Sequence, residues 1–261
     1  MKNFITKFYV GICFLFLYIP IVILVLLSFN NSRSRVVFGG VTLKWYKELF
    51  NDSTIMLAFK NTITIAFLSA LIATLIALPA AIGINSMRKK NASIIMGLTN
   101  IPIINADIVT GIILMLTLSR FLKLGYSSIL IAHITFNIPY VLLSILPRLK
   151  NLNPCIYESA RDLGAGPIFA FFKVVFPEIF PSVMSGFFMA MTMSMDDFVV
   201  TYFTKGAGID TLSTLIYGEL KRGIKPEMYA LSSVIFLVVL LVLIIVNYVP
   251  AFSGKGEKVE E

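Results

Sequence analysis

The chain has 261 residues, 57% of them apolar and 14% charged, where soluble domains run at roughly 45–50% and about 25%. With a mean hydropathy of +0.88, that excludes a soluble globular enzyme and a disordered chain. The net charge of +8 would suit a nucleic-acid partner, but the basic residues lie in loops between apolar runs, so it carries little weight. The first element, Phe8–Phe29, holds 22 residues without a charge. It is longer than a secretory core of roughly 7–15 residues, no A-x-A-like site follows, and it predicts a retained transmembrane helix. Five further apolar runs follow in order. Asn61–Ile84 is uncharged, and Ala92–Leu118 is apolar except for Asp107. Tyr126–Leu146 is uncharged apart from His133. Ile179–Met195 resumes beyond Asp196 and Asp197 to Phe203, and Met228–Val249 closes the series. The alternating segments of about ten residues that barrel strands need are missing, so the expected class is all-α and polytopic, with six transmembrane helices. Pro20, Pro79, Pro102 and Pro139 fall inside four of these runs, where each removes a donor and can kink its helix, either as simple bending for packing or to shape a path through the bundle.

The connecting segments are unequal. Asn30–Lys60 contains Leu43–Phe50, whose apolar spacing suits a short helix at an interface. Ser86–Asn91 is short and carries Arg88, Lys89 and Lys90, Pro147–Pro177 and Thr204–Glu227 are long polar inserts, and Ser253–Glu261 is a charged tail. The positive-inside rule does not settle orientation. The basic residues of the two sides tie at eleven each, and only the dense Arg88–Lys90 cluster leans toward both ends being cytoplasmic. Cys13 and Cys155 are not a disulfide framework, because Cys13 lies within an apolar run.

The insert between the fourth and fifth runs reads Asn153-Pro154-Cys155-Ile156-Tyr157-Glu158-Ser159-Ala160-Arg161-Asp162-Leu163-Gly164. Asn153 suits an N-cap, Pro154 the first helical position and Gly164 a helix stop. The spacing puts Ile156, Ala160 and Leu163 on one face. Gly166-Pro167 marks a turn, and a second short run, Ile168–Phe176, is expected to end at Pro177. Such a helix–turn–helix is either an ordinary capped loop or a docking knob.

Glu158-Ser159-Ala160-x-x-x-Gly164, followed after nine residues by Val174-x-Phe176-Pro177, resembles the EAA loop of ABC-importer permeases. Alanine is usual at the place of Ser159, isoleucine at 174 and leucine at 176. The resemblance extends along nearly the whole chain. Tyr18-Ile19-Pro20-Ile21, Lys44-Trp45-Tyr46, Asp107-Ile108-Val109, His133-Ile134-Thr135-Phe136 and Asp196-Asp197-Phe198-Val199-Val200 are similar to motifs of spermidine/putrescine permeases. The resemblance implies a type I ABC importer permease fold, with residues 1–261 as one permease domain and 148–177 as its cytoplasmic coupling loop. It implies a multi-pass protein of the bacterial inner membrane with both termini cytoplasmic. Glu158, Ser159, Ala160, Gly164 and Pro177 would then couple to an ATPase. The implied partners are a second permease subunit, two ATPase subunits carrying ATP-Mg, and an extracytoplasmic polyamine-binding protein. No cofactor is expected on this chain.

An Asp at a helix centre costs roughly 2.5–3.5 kcal/mol on insertion, so Asp107, Asp196 and Asp197 need a compensating role. A path for cationic polyamines supplies one, with carboxylates and aromatic faces as its lining. Pairing with Lys or Arg on neighbouring helices, or a place near the outer interface, is the alternative. Adjacent residues point about 100° apart on a helix, so Asp196 and Asp197 cannot both face a pore squarely. His133, with Asn137 one turn on, reads as a packing and interhelical hydrogen-bonding residue, as do Ser194, Thr192 and Thr135. One His cannot make a metal site or a usual triad. Thr204-Lys205-Gly206-Ala207-Gly208 lacks the order of a phosphate-binding G-x-x-x-x-G-K-[S/T] loop, so ATP hydrolysis is expected from a separate chain. Two other readings stay open: an ATP-independent cation channel or carrier, and an ABC permease for another solute.

Overall fold

The computed structural model describes residues 2–32, 37–223 and 225–248. Every regular element among them is helical. Four helices are long and apolar enough to cross a membrane: Lys7–Ser28, Ser53–Ser86, Tyr126–Asn151 and Pro167–Asp196. Arg33, Arg35, Val249 and the tail Ser253–Glu261 fall outside the described residues.

The described chain forms two compact units. One comprises the residues up to Leu57 together with Leu215–Leu241. It holds α1 (Lys2–Ser28) and α2 (Lys44–Asn51). From Lys7 to Ser28 the apolar side chains of α1 lie on the outside, with Phe16 79% exposed, as on a helix meant for lipid or for another chain. α2 is the short helix expected over Leu43–Phe50, and it buries Trp45 and Leu49. Its placement follows from polar satisfaction at the end of α1. Asn30 Oδ1 accepts from the Ser32 and Gly39 amides, Trp45 Nε1 donates to the Asn30 carbonyl at 2.7 Å, and Ser28 Oγ meets the Tyr46 hydroxyl at 2.7 Å.

The other unit comprises Ala58–Thr214 with the described residues from Val242. Its helices are the main part of α3 (Ser53–Ser86), α4 (Lys89–Thr99), α5 (Ile101–Ile104), α6 (Asp107–Ser119), α7 (Tyr126–Asn151), α8 (Pro154–Asp162), α9 (Pro167–Ala170), α10 (Phe176–Asp196) and α11 (Val199–Thr204). Helices α12 (Leu212–Arg222) and α13 (Pro226–Tyr248) complete the chain. The core is built on small residues. Ala70, Ala73, Ala77 and Ala81 lie along one face of α3 and are fully buried against Val141, Leu142 and Ile145 of α7 and Ile179 of α10. With no lipid-excluding force between apolar helices in a bilayer, close backbone approach over alanine is what makes them adhere.

Three expectations change. The run Ala92–Leu118 is not one helix; it breaks at Asn100 and again at Asn105-Ala106, and Pro102 opens the short α5 instead of bending a span. Asn favours turns over helix interiors and Pro favours the first helical turn, so the interruption has a local cause. The run ending at Pro177 does not end there. Phe171–Val175 forms a π-helical turn that joins α9 to α10, so that Pro167–Asp196 is one continuous rod of 30 residues. Pro177 sits in the first turn of α10, where a missing donor is tolerated. The run resuming after Asp197 is a separate helix, α11.

The loop after α11 shows where glycine is obligatory. Gly206 has φ +64°, and a Cβ there would lie 2.4 Å from the Leu124 carbonyl oxygen. Gly208 has φ +84° but open space around it. A left-handed residue costs roughly 1–2 kcal/mol when it is not glycine. Gly206→Ala is therefore expected to lower the melting temperature of the purified protein well beyond Gly208→Ala, since only the former adds a backbone clash. Equal melting temperatures for the two variants would refute this.

Candidate substrate cavity and coupling loop

Asp107, Asp196 and Asp197, expected to belong together, line one cavity of about 260 Å³. Two connections bring them there. Asp107 is the first residue of α6, Asp196 the last of α10, and Asp197 sits at the extended break before α11. None lies at a helix centre. Asp107 stands where the helix dipole is positive and stabilises an anion, so the burial cost expected from the sequence is much reduced. The rest of the lining includes Phe136 and Tyr140 of α7, Met193 of α10, Thr110 of α6 and Phe198. Phe136 and Tyr140 are four residues apart, which aims both rings from one face of α7; that spacing was the available sequence signal, and it was missed.

The two neighbouring acids behave differently. Asp196 is exposed, and among the described residues neither it nor Asp107 makes an ion pair or a side-chain hydrogen bond. Among the described residues, Asp107 and Asp196 thus do not pair with Lys or Arg. Asp197 is turned inward, its side chain 12% exposed. Oδ1 accepts from the Val200 amide at 3.2 Å, and Oδ2 accepts from the Thr201 amide and from Thr201 Oγ1, each at 2.8 Å. It thereby caps the first turn of α11.

Behind Asp197 lies a buried polar chain across four helices. His133 Nε2 is 2.9 Å from Thr201 Oγ1 and 3.4 Å from Asp197 Oδ2. Its Nδ1 is 2.5 Å from Ser194 Oγ, which meets Ser69 Oγ at 3.1 Å, and Asn137 Nδ2 donates to Ser69 Oγ at 3.2 Å. His133 and Ser194 make the interhelical contacts expected of them. Thr192 and Thr135 do not: each hydroxyl donates to the carbonyl four residues back on its own helix, Phe188 and Ile131, an option open to any helical threonine. Among the described residues no group of three or more His, Cys, Asp or Glu could hold a metal ion.

The second functional region is the insert over 148–177. Asn153 Oδ1 accepts from the Cys155 amide and so caps α8. At the other end the Ala165 amide donates to the Ala160 carbonyl and the Gly164 amide to the Arg161 carbonyl, with Gly164 at φ +87°. This is a Schellman ending with glycine at the left-handed position. Glu158 and Ser159 are exposed and Ala160 is half-buried, while Pro177 lies inside the rod. The apolar face differs from the expected one. Tyr157 packs on the core of the unit, while Leu163 is 89% exposed. Ile168 and Phe172 are also exposed. Behind α8, residues including Asn85, Lys150, Tyr157, Glu158, Ile168 and Phe172 line a second cavity of about 670 Å³.

Long apolar helices, a broken third segment, and a capped helix–turn–helix projecting between two of the long helices define a polytopic component of a membrane transport system. Residues 55–253 match the family of binding-protein-dependent transport system inner membrane components, and the chain belongs to that family. It is 35% identical over 242 residues to the spermidine/putrescine transport system permease protein PotC of Escherichia coli (strain K12), covering 92% of each chain. It is 34% identical over 252 residues to the putrescine transport system permease protein PotI of the same organism, covering 93% of this chain and 89% of that one. A chain of a bacterial ABC transporter involved in the import of the acidic polysaccharide alginate shares the fold, with a TM-score of 0.70 at 20% identity, over 94% of this chain and 92% of that one. As a transport component of this family, the chain is not itself catalytic.

Proposed function

We propose that the chain is the permease subunit of an ATP-driven importer that moves spermidine or putrescine across the bacterial inner membrane by alternating access. The observation that carries this reading is the convergence of Asp107, Asp196 and Asp197, from two connections far apart in the sequence, on one cavity walled by Phe136, Tyr140 and Phe198. Carboxylates beside aromatic faces are complementary to polyammonium cations. The PotC and PotI relatives, covered almost end to end, support the same substrate class. At 20% identity the alginate transporter speaks for the fold alone.

In this reading the whole chain is one permease domain of the type I importer fold. Its six spans are α1, α3, the broken segment α4–α6, α7, the rod Pro167–Asp196 and α13, with both termini cytoplasmic. The loop 148–177 then faces the cytoplasm, where Glu158, Ser159, Ala160 and Gly164 present α8 to an ATPase subunit and Pro177 anchors the rod behind it. The exposed Leu163 and Ile168 are the apolar contacts such a docking needs. A second permease subunit completes the path, two ATPase subunits bind ATP-Mg, and an extracytoplasmic polyamine-binding protein delivers the substrate. The exposed apolar face of α1 is available to lipid or to that second subunit.

The test is uptake of labelled spermidine and putrescine into vesicles that hold the purified complex. Uptake should require ATP and the binding protein and should stop when ATP is depleted with the membrane potential clamped. Uptake that continues under those conditions would instead favour a channel or carrier, because the potential alone favours inward cations by roughly 2.3 kcal/mol per charge per 100 mV.

A further inference from the structure

We infer that His133 is a positioning residue for the cavity: through Thr201 it holds the Asp197 carboxylate as the cap of α11, so that Asp107 and Asp196 alone are free to meet a cation. The inference rests on the polyamine reading above and deepens it by dividing the acids into two ligands and one tethered neighbour.

Counting hydrogens gives the chain a direction. Thr201 Oγ1 spends its one hydrogen on Asp197 Oδ2, so at 2.9 Å it accepts from His133 Nε2. The other ring nitrogen, Nδ1, lies 2.5 Å from Ser194 Oγ. Ser194 Oγ meets Ser69 Oγ at 3.1 Å, and Ser69, whose hydroxyl also donates to the Ala66 carbonyl at 3.2 Å, accepts from Asn137 Nδ2. At the Asp197 end, His133 thus donates to Thr201 and Thr201 to the carboxylate. Ser69, His133, Asn137 and Thr201 are all at most 1% exposed, so water does not compete for these bonds and the arrangement has few alternatives.

The carboxylate at the end of the chain is nearly saturated. A carboxylate has about four acceptor sites. The amides of Val200 and Thr201 and the hydroxyl of Thr201 occupy three, with the His133 ring 3.4 Å from Oδ2. The Asp197 main-chain carbonyl is also held, accepting from Ser213 Oγ at 2.8 Å. Asp196, one residue earlier, carries none of these bonds. Releasing the tether would free the Asp197 oxygens, already at the cavity wall, to meet the cation as a third carboxylate, which would bind a polycation more tightly and release it more slowly.

The experiment measures equilibrium binding of labelled spermidine to the purified complex in lipid nanodiscs without the binding protein, alongside uptake in vesicles. His133→Gln, and independently Thr201→Val, are expected to bind spermidine roughly fivefold more tightly while transporting it more slowly. His133→Gln combined with Asp197→Asn should return binding to the unsubstituted level, since the freed side chain is then neutral. Asp197→Asn alone should cost less binding than Asp196→Asn, because the Asp197 oxygens are already engaged and Asn caps a helix as well as Asp does. A merely structural role would reduce the yield of complex without tightening binding. Unchanged or weaker binding in both single variants at equal yield would overturn the inference, and so would a loss in Asp197→Asn as large as in Asp196→Asn. If Asp196→Asn and the unsubstituted complex bind equally little spermidine, the polyamine reading has failed and the inference falls with it. Asp196-dependent binding that ignores His133 would sink the inference alone.

Discussion

Asp196→Asn is expected to lower ATP-driven spermidine uptake at least about tenfold, with the complex inserted at normal levels. Hydrogen bonds between charged groups are worth roughly 1.5–3 kcal/mol, which is a factor of ten or more in occupancy of the cavity. The substitution keeps the volume of the side chain and removes only its charge. It also disturbs no internal contact, because Asp196 is exposed at the end of α10 and makes no ion pair or side-chain hydrogen bond among the described residues. A lost cation contact is therefore the direct explanation of a large fall. Initial rates of labelled spermidine uptake, normalised to complex detected in the membrane, provide the measurement. Rates within twofold of the unsubstituted protein would remove Asp196 from the path.

The second large effect concerns coupling. In Gly164→Val and in Glu158→Lys, ATP hydrolysis by the assembled complex should persist while uptake per ATP falls about tenfold or more. The two substitutions act differently. At Gly164 nothing lies within 4 Å of an added Cβ, so the obstacle is the φ of +87°, where a β-branched residue is a severe outlier. The turn after α8 would unwind and the helix would lose its fixed attitude. Gly164→Asn is the matched control, since Asn tolerates the left-handed region. Glu158 is exposed and makes no ion pair or side-chain hydrogen bond among the described residues, so reversing its charge acts on something outside the chain. Parallel assays of phosphate release and uptake in proteoliposomes give the ratio. An unchanged ratio in both variants would argue against a coupling role for α8.

Where helices occur was legible wherever a single physical signal dominates. Uncharged runs identified α1, α3 and α7, and the Asn153-Pro154 start and Gly164 stop of α8 followed from capping chemistry that needs no tertiary information. The break at Asn100 and Asn105 was hidden because two isolated amides scarcely change the mean hydropathy of Ala92–Leu118. Pro177 misled for the converse reason: its ordinary effect is to stop a helix, and the π turn that absorbs it has no sequence signature. Leu163 was grouped on one face with Ile156 and Ala160, but spacing fixes only which residues share a face, not whether the chain covers it, and Leu163 is left exposed. The cavity was half legible. Charge in an apolar context singled out its three acids, but Asp107 and Asp196 are 89 positions apart, and only packing tells that they meet. The inward turn of Asp197 depends on Thr201 and His133 together, which no local pattern announces.

The rod Pro167–Asp196 begins at the proposed coupling loop and ends on a cavity acid without a non-helical residue between. At about 1.5 Å per residue it is roughly 45 Å long. A helix of that kind transmits rotation as faithfully as displacement. The angular phase of Asp196 about the rod axis is therefore set by how many residues separate it from the coupling loop, at about 100° for each. Spacing along this segment is thus itself a functional quantity: the apolar residues between could be exchanged for others of similar size, whereas one residue added or removed would turn the acid away from the cavity while leaving every side chain chemically intact.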